Sequence, residues 1–360
     1  MAVPVAAQVL LSTSWTLVPA PPTSNSLGIG ALITTDGLNS ARYMTFTSSE
    51  AIDAAETATY ISSDTAMRLQ AMIGQGERPG TVAVVKYDPT SPSPNETPWD
   101  GMLAALEAGL NVGVFSLVSA TESVQETLAT SFLASAWKDR MLMVVQSADT
   151  GLYGGSKPSS LDACENDRIR VVYSADDQPT AAAIIGMLCG KNMLEGPAPA
   201  RVQLLDCTVP TLTITQRDNI LANDASVLQN LDYGASADER ILLGETGYNG
   251  KSWSAAATLT YINRQSRALL LAWIMEKAAA NEVIPANQAG SSLAIAQVSP
   301  MFANLASVGH FTPDATAPDG YLLSASVVST DAGQVVTLAG TVWIAREAHS
   351  FAFAVTGQEV

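Results

Sequence analysis

Apolar and polar positions alternate with period two over residues 9–17. Val9, Leu11, Thr13, Trp15 and Leu17 share one face and Leu10, Ser12, Ser14 and Thr16 the other, which is the pattern of a strand. The proline-rich stretch PAPPTSNS over residues 19–26 follows at once. Proline cannot donate to a strand ladder, so this stretch predicts an extended linker that detaches the first strand from whatever begins at Leu27. From Leu27 onward strand-like runs alternate with helix-period segments. Strands are predicted over 27–35, 43–47, 81–87, 112–119, 141–146 and 169–174, and helices over 49–61, 64–73, 98–108, 122–137 and 179–189. Runs such as VGVFSLV and MLMVVQ are apolar on both faces, as parallel strands covered by helices on each side must be. The rhythm predicts an α/β fold with a doubly wound domain over residues 27–236.

After Glu239 the pattern changes. Residues 254–277 read as one long helix and 287–308 as a second, interrupted at Pro300. Residues 321–328, 335–344 and 350–355 each alternate and predict an antiparallel β unit, giving an α+β domain over 237–345. The last of these strands carries Phe351, Phe353 and Val355 on one face and mirrors the strand at the opposite end of the sequence. It follows the charged joint Arg346-Glu-Ala-His349, so residues 346–360 read as a C-terminal arm and residues 1–26 as an N-terminal arm with its linker. Strands at both ends can complete the open sheet edge of a neighbouring subunit through main-chain hydrogen bonds. Val9, Leu11, Trp15, Leu17, Phe351, Phe353 and Val355 are the residues expected to make such inter-subunit contacts.

Composition narrows the function classes. Of 360 residues, 47% are hydrophobic and 14% charged, enough apolar material for a packed core in two domains and too much for a disordered chain. The net charge of −16 makes nucleic acid a poor partner, because the surface repels phosphate. No apolar run reaches the ~20 residues of a membrane span, and the N-terminus has no basic leader region. A soluble protein made in the cytoplasm, with no membrane insertion, is expected.

Candidate chemistry is sparse. Cys164, Cys189 and Cys207 are odd in number and far apart, which predicts small buried thiols rather than a metal or nucleophilic site. The histidines are His310 and His349, too few for histidine-based catalysis, and no HExxH, GxSxG or calcium-loop spacing occurs. No metal, cofactor or catalytic residue is therefore assigned. Asp176 and Asp177 read as charge at a helix N-terminus rather than an acid/base pair. Trp137, Trp253, Trp273 and Trp343 read as core residues, and Asn95-Glu-Thr97 as a chance match to a glycosylation acceptor.

The most tempting motif is Gly244-Glu-Thr-Gly-Tyr-Asn-Gly250-Lys251-Ser252, a glycine-rich loop between a strand-like run and a helix. A phosphate cradle needs four residues between its first glycine and GK[ST]; here there are five, and Glu245 would face the phosphates. Gly28-Ile-Gly30 lacks a third glycine at the dinucleotide spacing. The alternatives left open are a nucleotide-dependent α/β enzyme using loop 244–252 and a small-ligand-binding α/β protein.

Several segments together resemble the tail sheath family of contractile phages and related injection machines. They are Tyr43-Met-Thr-Phe-Thr-Ser-Ser-Glu50, Ala66-Met-Arg-Leu-Gln-Ala71, and Glu77-Arg-Pro-Gly-Thr-Val-Ala-Val-Val85 near the beginning. Further on come Pro179-Thr-Ala-Ala-Ala-Ile-Ile-Gly186 with Gly196-Pro-Ala-Pro-Ala200, and the loop Gly244 to Trp253 running into Tyr261-Ile-Asn-Arg264. The chain departs from larger relatives in lacking a sizeable inserted outer domain and in having few arginines near Tyr261. The resemblance implies subtilisin-like layering of the doubly wound domain, a C-terminal α+β domain and extended terminal β-arms. It implies a non-enzymatic structural subunit of the virion tail, assembled in the host cytoplasm. Partners would be identical copies in a ring or helical lattice, a tail tube protein, and baseplate and tail terminator proteins, with contraction of the lattice driving the tube.

Overall fold

The computed structural model describes residues 26–76, 79–90, 95–118, 121–198, 203–230, 240–282, 284–285, 287–330 and 333–344. The first half alternates strands and helices: β1 (Ile29–Thr34), β2 (Tyr43–Phe46), α1 (Ser49–Thr57), α2 (Ser63–Ile73), β3 (Val82–Lys86), α3 (Pro98–Glu107), β4 (Val112–Leu117), α4 (Glu122–Ala134) and β5 (Leu142–Ser147). There follow β6 (Ile169–Tyr173), α5 (Thr180–Gly190), α6 (Ile214–Ala222), β7 (Ser226–Asn230), β8 (Arg240–Leu243), α7 (Trp253–Ala279), α8 (Gln288–Ser307), β9 (Tyr321–Thr330) and β10 (Gly333–Val342).

Eight strands form one sheet in the order β2-β3-β1-β4-β5-β6-β7-β8. The six inner strands are parallel, and the edge strands β2 and β8 run antiparallel to them. The fold is mixed α/β with a mostly parallel central sheet, as the two-faced apolar runs require. Leu32, Val84, Leu142, Val144 and Val172 enter one core beneath α2, α5 and the start of α7. Their neighbours Ile33, Val85, Met143, Val145 and Val171 enter a second core beneath α3, α4 and α6.

Helix starts follow local chemistry. Ser48 and Ser62 cap α1 and α2, and Thr97 with Asp100 forms a capping box at α3. The switch in strand order falls between β1 and β4, where open α/β sheets commonly dock ligands. Here Asp36 follows β1 and accepts hydrogen bonds from the Ser62 backbone at 2.9 Å and the Ser62 hydroxyl at 3.2 Å, tying the start of α2 over the end of β1.

Four departures from the sequence expectation have physical causes. The first predicted helix stops at Thr57, because Thr59 adopts φ +58° and turns the chain. The segment around α6 and β7 had no assigned element, since Ile220 is the buried apolar residue of α6 and Ile214 is exposed. The Thr213–Gln216 capping box was its readable signal. β8 lies past residue 236 yet joins the sheet, pairing Val227 with Leu243 and Asn230 with Arg240. Helix α8 runs through Pro300 without a break: Pro300 and Ala296, whose carbonyl loses its partner, both lie on the exposed side where water can serve.

Of the C-terminal elements, Val298, Phe302, Leu305 and Phe311 join the first core, while Trp273, Ile284 and Ala294 form a small cluster of their own. The β9–β10 hairpin pairs Tyr321 with Val342 through Thr330 with Gly333 and rests on α8. The predicted third strand over 350–355 lies outside the described residues.

Candidate functional site

The glycine-rich loop 244–252 connects β8 to α7, and its backbone is already committed. Gly247 N–H donates to the Lys251 carbonyl at 2.8 Å, Gly250 N–H to Gly247 at 3.0 Å, and Trp253 N–H to Glu245 at 3.1 Å. Tyr248 N–H donates to the Ile169 carbonyl at 2.9 Å, and the Ser252 hydroxyl accepts from Ala255 N–H at 3.3 Å as the helix cap. A phosphate cradle works by presenting such N–H groups to a ligand, and these point at protein oxygens instead. Beside the loop lies an open cleft of about 460 Å³ lined by Asp167, Glu245, Lys251, Val342 and Ile344 among others, so two carboxylates face it.

The glycines serve close packing. Gly244 sits at φ +98°, where an added Cβ would meet Ser226 Cα at 2.8 Å. A Cβ on Gly30 would meet Ile185 at 2.6 Å and Met72 at 2.7 Å, so Gly28-Ile-Gly30 lets helices approach the sheet. The buried Arg170 gives its Nε to the Ser226 hydroxyl at 2.8 Å, gives another N–H to the Gly244 carbonyl, and lies 5.8 Å from the Trp253 ring centroid. The resulting strand–turn–helix joint fixes where α7 leaves the sheet.

Further along α7 a second weld forms. Arg264 donates to the carbonyls of Val112, Arg140 and Asn111 and to the Asn111 side chain, clamping α7 to the start of β4 and to the turn before β5. Arg168 donates to the Thr260 hydroxyl at 2.6 Å, and Asn263 to the Asp139 carbonyl at 3.0 Å. Burial pushes the Arg264 guanidinium down to about 10, still charged at neutral pH. Sequence reasoning named Arg264 only within a resemblance and missed Arg170. A lone arginine in an apolar strand, as in IRVVY, is the signal that could have flagged the latter.

The remaining candidates resolve as follows. The three cysteines are buried, and burial pushes each thiol up to about 12, so they are protonated and unreactive. His310 is buried between α7 and the loop after α5, 3.0 Å from the Thr258 hydroxyl and 2.7 Å from the Met193 carbonyl. Trp253 and Trp273 are buried; Trp137 and Trp343 are half-buried, and the Arg140 guanidinium lies 4.8 Å above the Trp137 ring. Asp176 and Asp177 are exposed and precede α5 without entering its first turn. Among the described residues no group of carboxylate, histidine and cysteine side chains could hold a metal, and no helix is long and apolar enough to cross a membrane.

The remaining surface of interest is the β9–β10 hairpin. Phe302 of α8, Phe311 and Tyr321 of β9 cluster with centroids 5.4 to 6.1 Å apart and hold the hairpin on the core. Each strand of this two-stranded sheet presents an edge with no further strand among the described residues. The residues expected to form inter-subunit strands, Val9, Leu11, Trp15, Leu17, Phe351, Phe353 and Val355, lie outside the described residues.

No protein-family model matches the sequence, and no curated protein does. Solved structures do match in fold. A chain of the six-fold symmetrised cryo-electron microscopy structure of the anti-feeding prophage baseplate superposes with TM-score 0.66 at 11% identity, covering 100% of this chain and 100% of that one. The sheath tail protein Lin1278 from Listeria innocua superposes with TM-score 0.59 at 12% identity, covering 94% of this chain and 97% of that one. The chain therefore shares its fold with a chain of a prophage baseplate and with a sheath tail protein. One of the two neighbours is a sheath tail protein, the family the sequence motifs resemble.

Proposed function

We propose that the chain is the sheath subunit of a contractile tail, polymerising around a tail tube and driving its insertion by contraction of the helical lattice. The observation that carries this reading is end-to-end agreement in fold with a baseplate-assembly chain, with no unmatched catalytic domain in either partner. The closed loop 244–252 speaks against the nucleotide-dependent alternative, and the agreement in fold over the whole of both chains with a baseplate-assembly chain favours assembly over a small-ligand site. In this reading the protein is not an enzyme and uses no cofactor. The energy for movement lies in subunit contacts that improve between two lattice states.

The reading includes subtilisin-like layering of the domain over residues 27–236, whose sheet β8 completes, an α+β domain over 237–345, and arms over 1–26 and 346–360 that add strands to neighbouring sheets. Among the described residues the outer edges of β9 and β10 carry no further strand, and in this reading they accept such arms. Partners are identical copies, the tail tube, and baseplate and terminator proteins, in a virion tail assembled in the host cytoplasm.

The test compares the full chain with one lacking residues 350–360 by electron microscopy and calorimetric melting. Docking Phe351, Phe353 and Val355 would contribute about 1.5 to 3 kcal/mol per side chain. If that contribution is made to a neighbour, the truncated chain melts as a monomer almost unchanged and forms no cylinders. Normal cylinders from the truncated chain refute arm exchange, and uniform small particles from the full chain refute the sheath reading.

A further inference from the structure

The charge of this acidic chain is not spread evenly along the strands. Lys138 and Arg140 stand just before β5, Arg168 just before β6, and Arg264 and Arg267 reach the same end of the sheet from α7. The strands are parallel, so these five cations share the N-terminal edge of the sheet. The carboxylates coupled to them are Asp139, whose Oδ1 lies 3.7 Å from Arg168, and Asp167. Among the described residues no carboxylate lies within ion-pair distance of Lys138, Arg140 or Arg267. Arg140 and Arg267 repel each other, and the Arg140 Nε is buried without a hydrogen-bond partner. In a chain of net charge −16 this is a concentration of five cations against two coupled carboxylates.

The opposite end of the same strands carries the reverse. Glu122 after β4, Asp149 after β5, and Asp176 and Asp177 after β6 gather at the C-terminal edge, the first three lining an open cleft of about 480 Å³. The nearby Arg68 is already paired with Asp64 at 3.1 Å. A six-residue strand such as β5 spans about 20 Å, well beyond a Debye length of about 8 Å at physiological salt, so the two ends do not neutralise each other within one molecule.

We infer that the two ends meet between successive copies: the cationic end around Lys138, Arg140 and Arg267 of one chain seats on the anionic end around Glu122, Asp149, Asp176 and Asp177 of the next. This rests on the reading of the chain as a self-assembling subunit. Different patches on opposite ends make a heterologous contact, which repeats from copy to copy into a ring or an open helical stack rather than closing as a two-fold dimer. The charges set register and encounter rate, and salt should weaken the contact.

The test reverses each end with exposed side chains only: Lys138→Glu with Arg267→Glu in one full-length variant, Asp176→Lys with Asp177→Lys in the other. Sedimentation at low salt should show the wild type associating, with affinity falling by about tenfold or more at about 1 M salt, where the Debye length is about 3 Å. Each variant alone should associate about tenfold more weakly or worse, since its two ends now carry like charge. An equimolar mixture should recover to within a few-fold of the wild type, because each reversed end then finds its complement. Recovery on mixing also shows that both variants are folded, and neutralising pairs, Lys138→Gln with Arg267→Gln and Asp176→Asn with Asp177→Asn, should give intermediate losses. Wild-type polymers indifferent to salt and to both reversals overturn this contact alone. A mixture that stays dissociated although both variants melt normally also overturns it, whereas a wild type that never associates overturns the assembly reading as well.

Discussion

Gly186 in the middle of α5 offers a test in which two physical effects oppose each other. Replacing it with alanine should stabilise an isolated helix by about 1 kcal/mol, since alanine loses less backbone freedom. In the folded chain α5 crosses α2 at this point, and an added Cβ would lie 2.1 Å from the Met72 carbonyl oxygen and 2.7 Å from Met72 Cα. Non-bonded carbon contacts are comfortable near about 3.5 Å, so the two backbones would have to separate by more than about 1 Å. Neither side can yield by rotating a side chain. Separating them loosens the core that Leu69, Met72, Ile73, Ile185 and Cys189 share with β1 and β3. Overpacking costs about 1–3 kcal/mol in close-packed cores, and a backbone-on-backbone clash belongs at the upper end. The net expectation for Gly186→Ala is a loss of about 2 kcal/mol, or about 4 °C in Tm at about 2 °C per kcal/mol for a chain this long. Gly37→Ala is the control: its φ of −68° and ψ of −26° suit alanine and nothing lies within 4 Å of the new Cβ, so it should gain about 0.4–1 kcal/mol. Differential scanning calorimetry of the two variants decides the matter. A Gly186→Ala protein that melts at or above the wild-type temperature refutes the packing argument.

Two further expectations concern titration and ligand binding. His310 donates from Nε2 to the Met193 carbonyl, which can only accept; in the neutral ring Nδ1 accepts from the Thr258 hydroxyl, and in the protonated ring it donates to it. Burial holds its pKa below 6.5, against the raising effect of the Met193 contact, while nearby Lys191 pushes the same way as burial. With the folded pKa depressed, the unfolded chain binds the proton more readily, so this contribution is complete above about pH 6.5 and is lost as pH falls through the folded value. Urea denaturation should show stability falling from pH 7 toward pH 5, and His310→Gln should flatten that slope; an unchanged slope in the variant removes His310 as its origin. For loop 244–252, calorimetric titration with magnesium and ATP should show no specific binding, and Lys251→Ala should change nothing; micromolar, magnesium-dependent binding abolished by that substitution would overturn the account of the loop.

The continuous apolar runs, hydrophobic on both faces, determined by themselves that the central strands are parallel and helix-covered, because a strand buried on both sides tolerates no polar face. The serine and threonine caps at residues 48, 62 and 97 likewise set helix starts through contacts spanning three residues. The glycine spacing and Glu245 already argued against a phosphate cradle, and the short motifs near residues 43–50, 179–186 and 244–264 pointed to the fold later found in the solved neighbours. Other features depended on groups far apart in the chain. Whether Gly30 bound a ligand or made room for a helix was decided by Met72 and Ile185, and whether the loop N–H groups were free was decided by Ile169 and by the loop's own turns. Pro300 left its helix intact because its orphaned carbonyl faces water, which the residue's identity alone does not reveal. The separation of charge between the two ends of the sheet was also invisible in the linear order, where acidic and basic residues interleave. It arises because parallel strands bring every strand start to one edge and every strand end to the other.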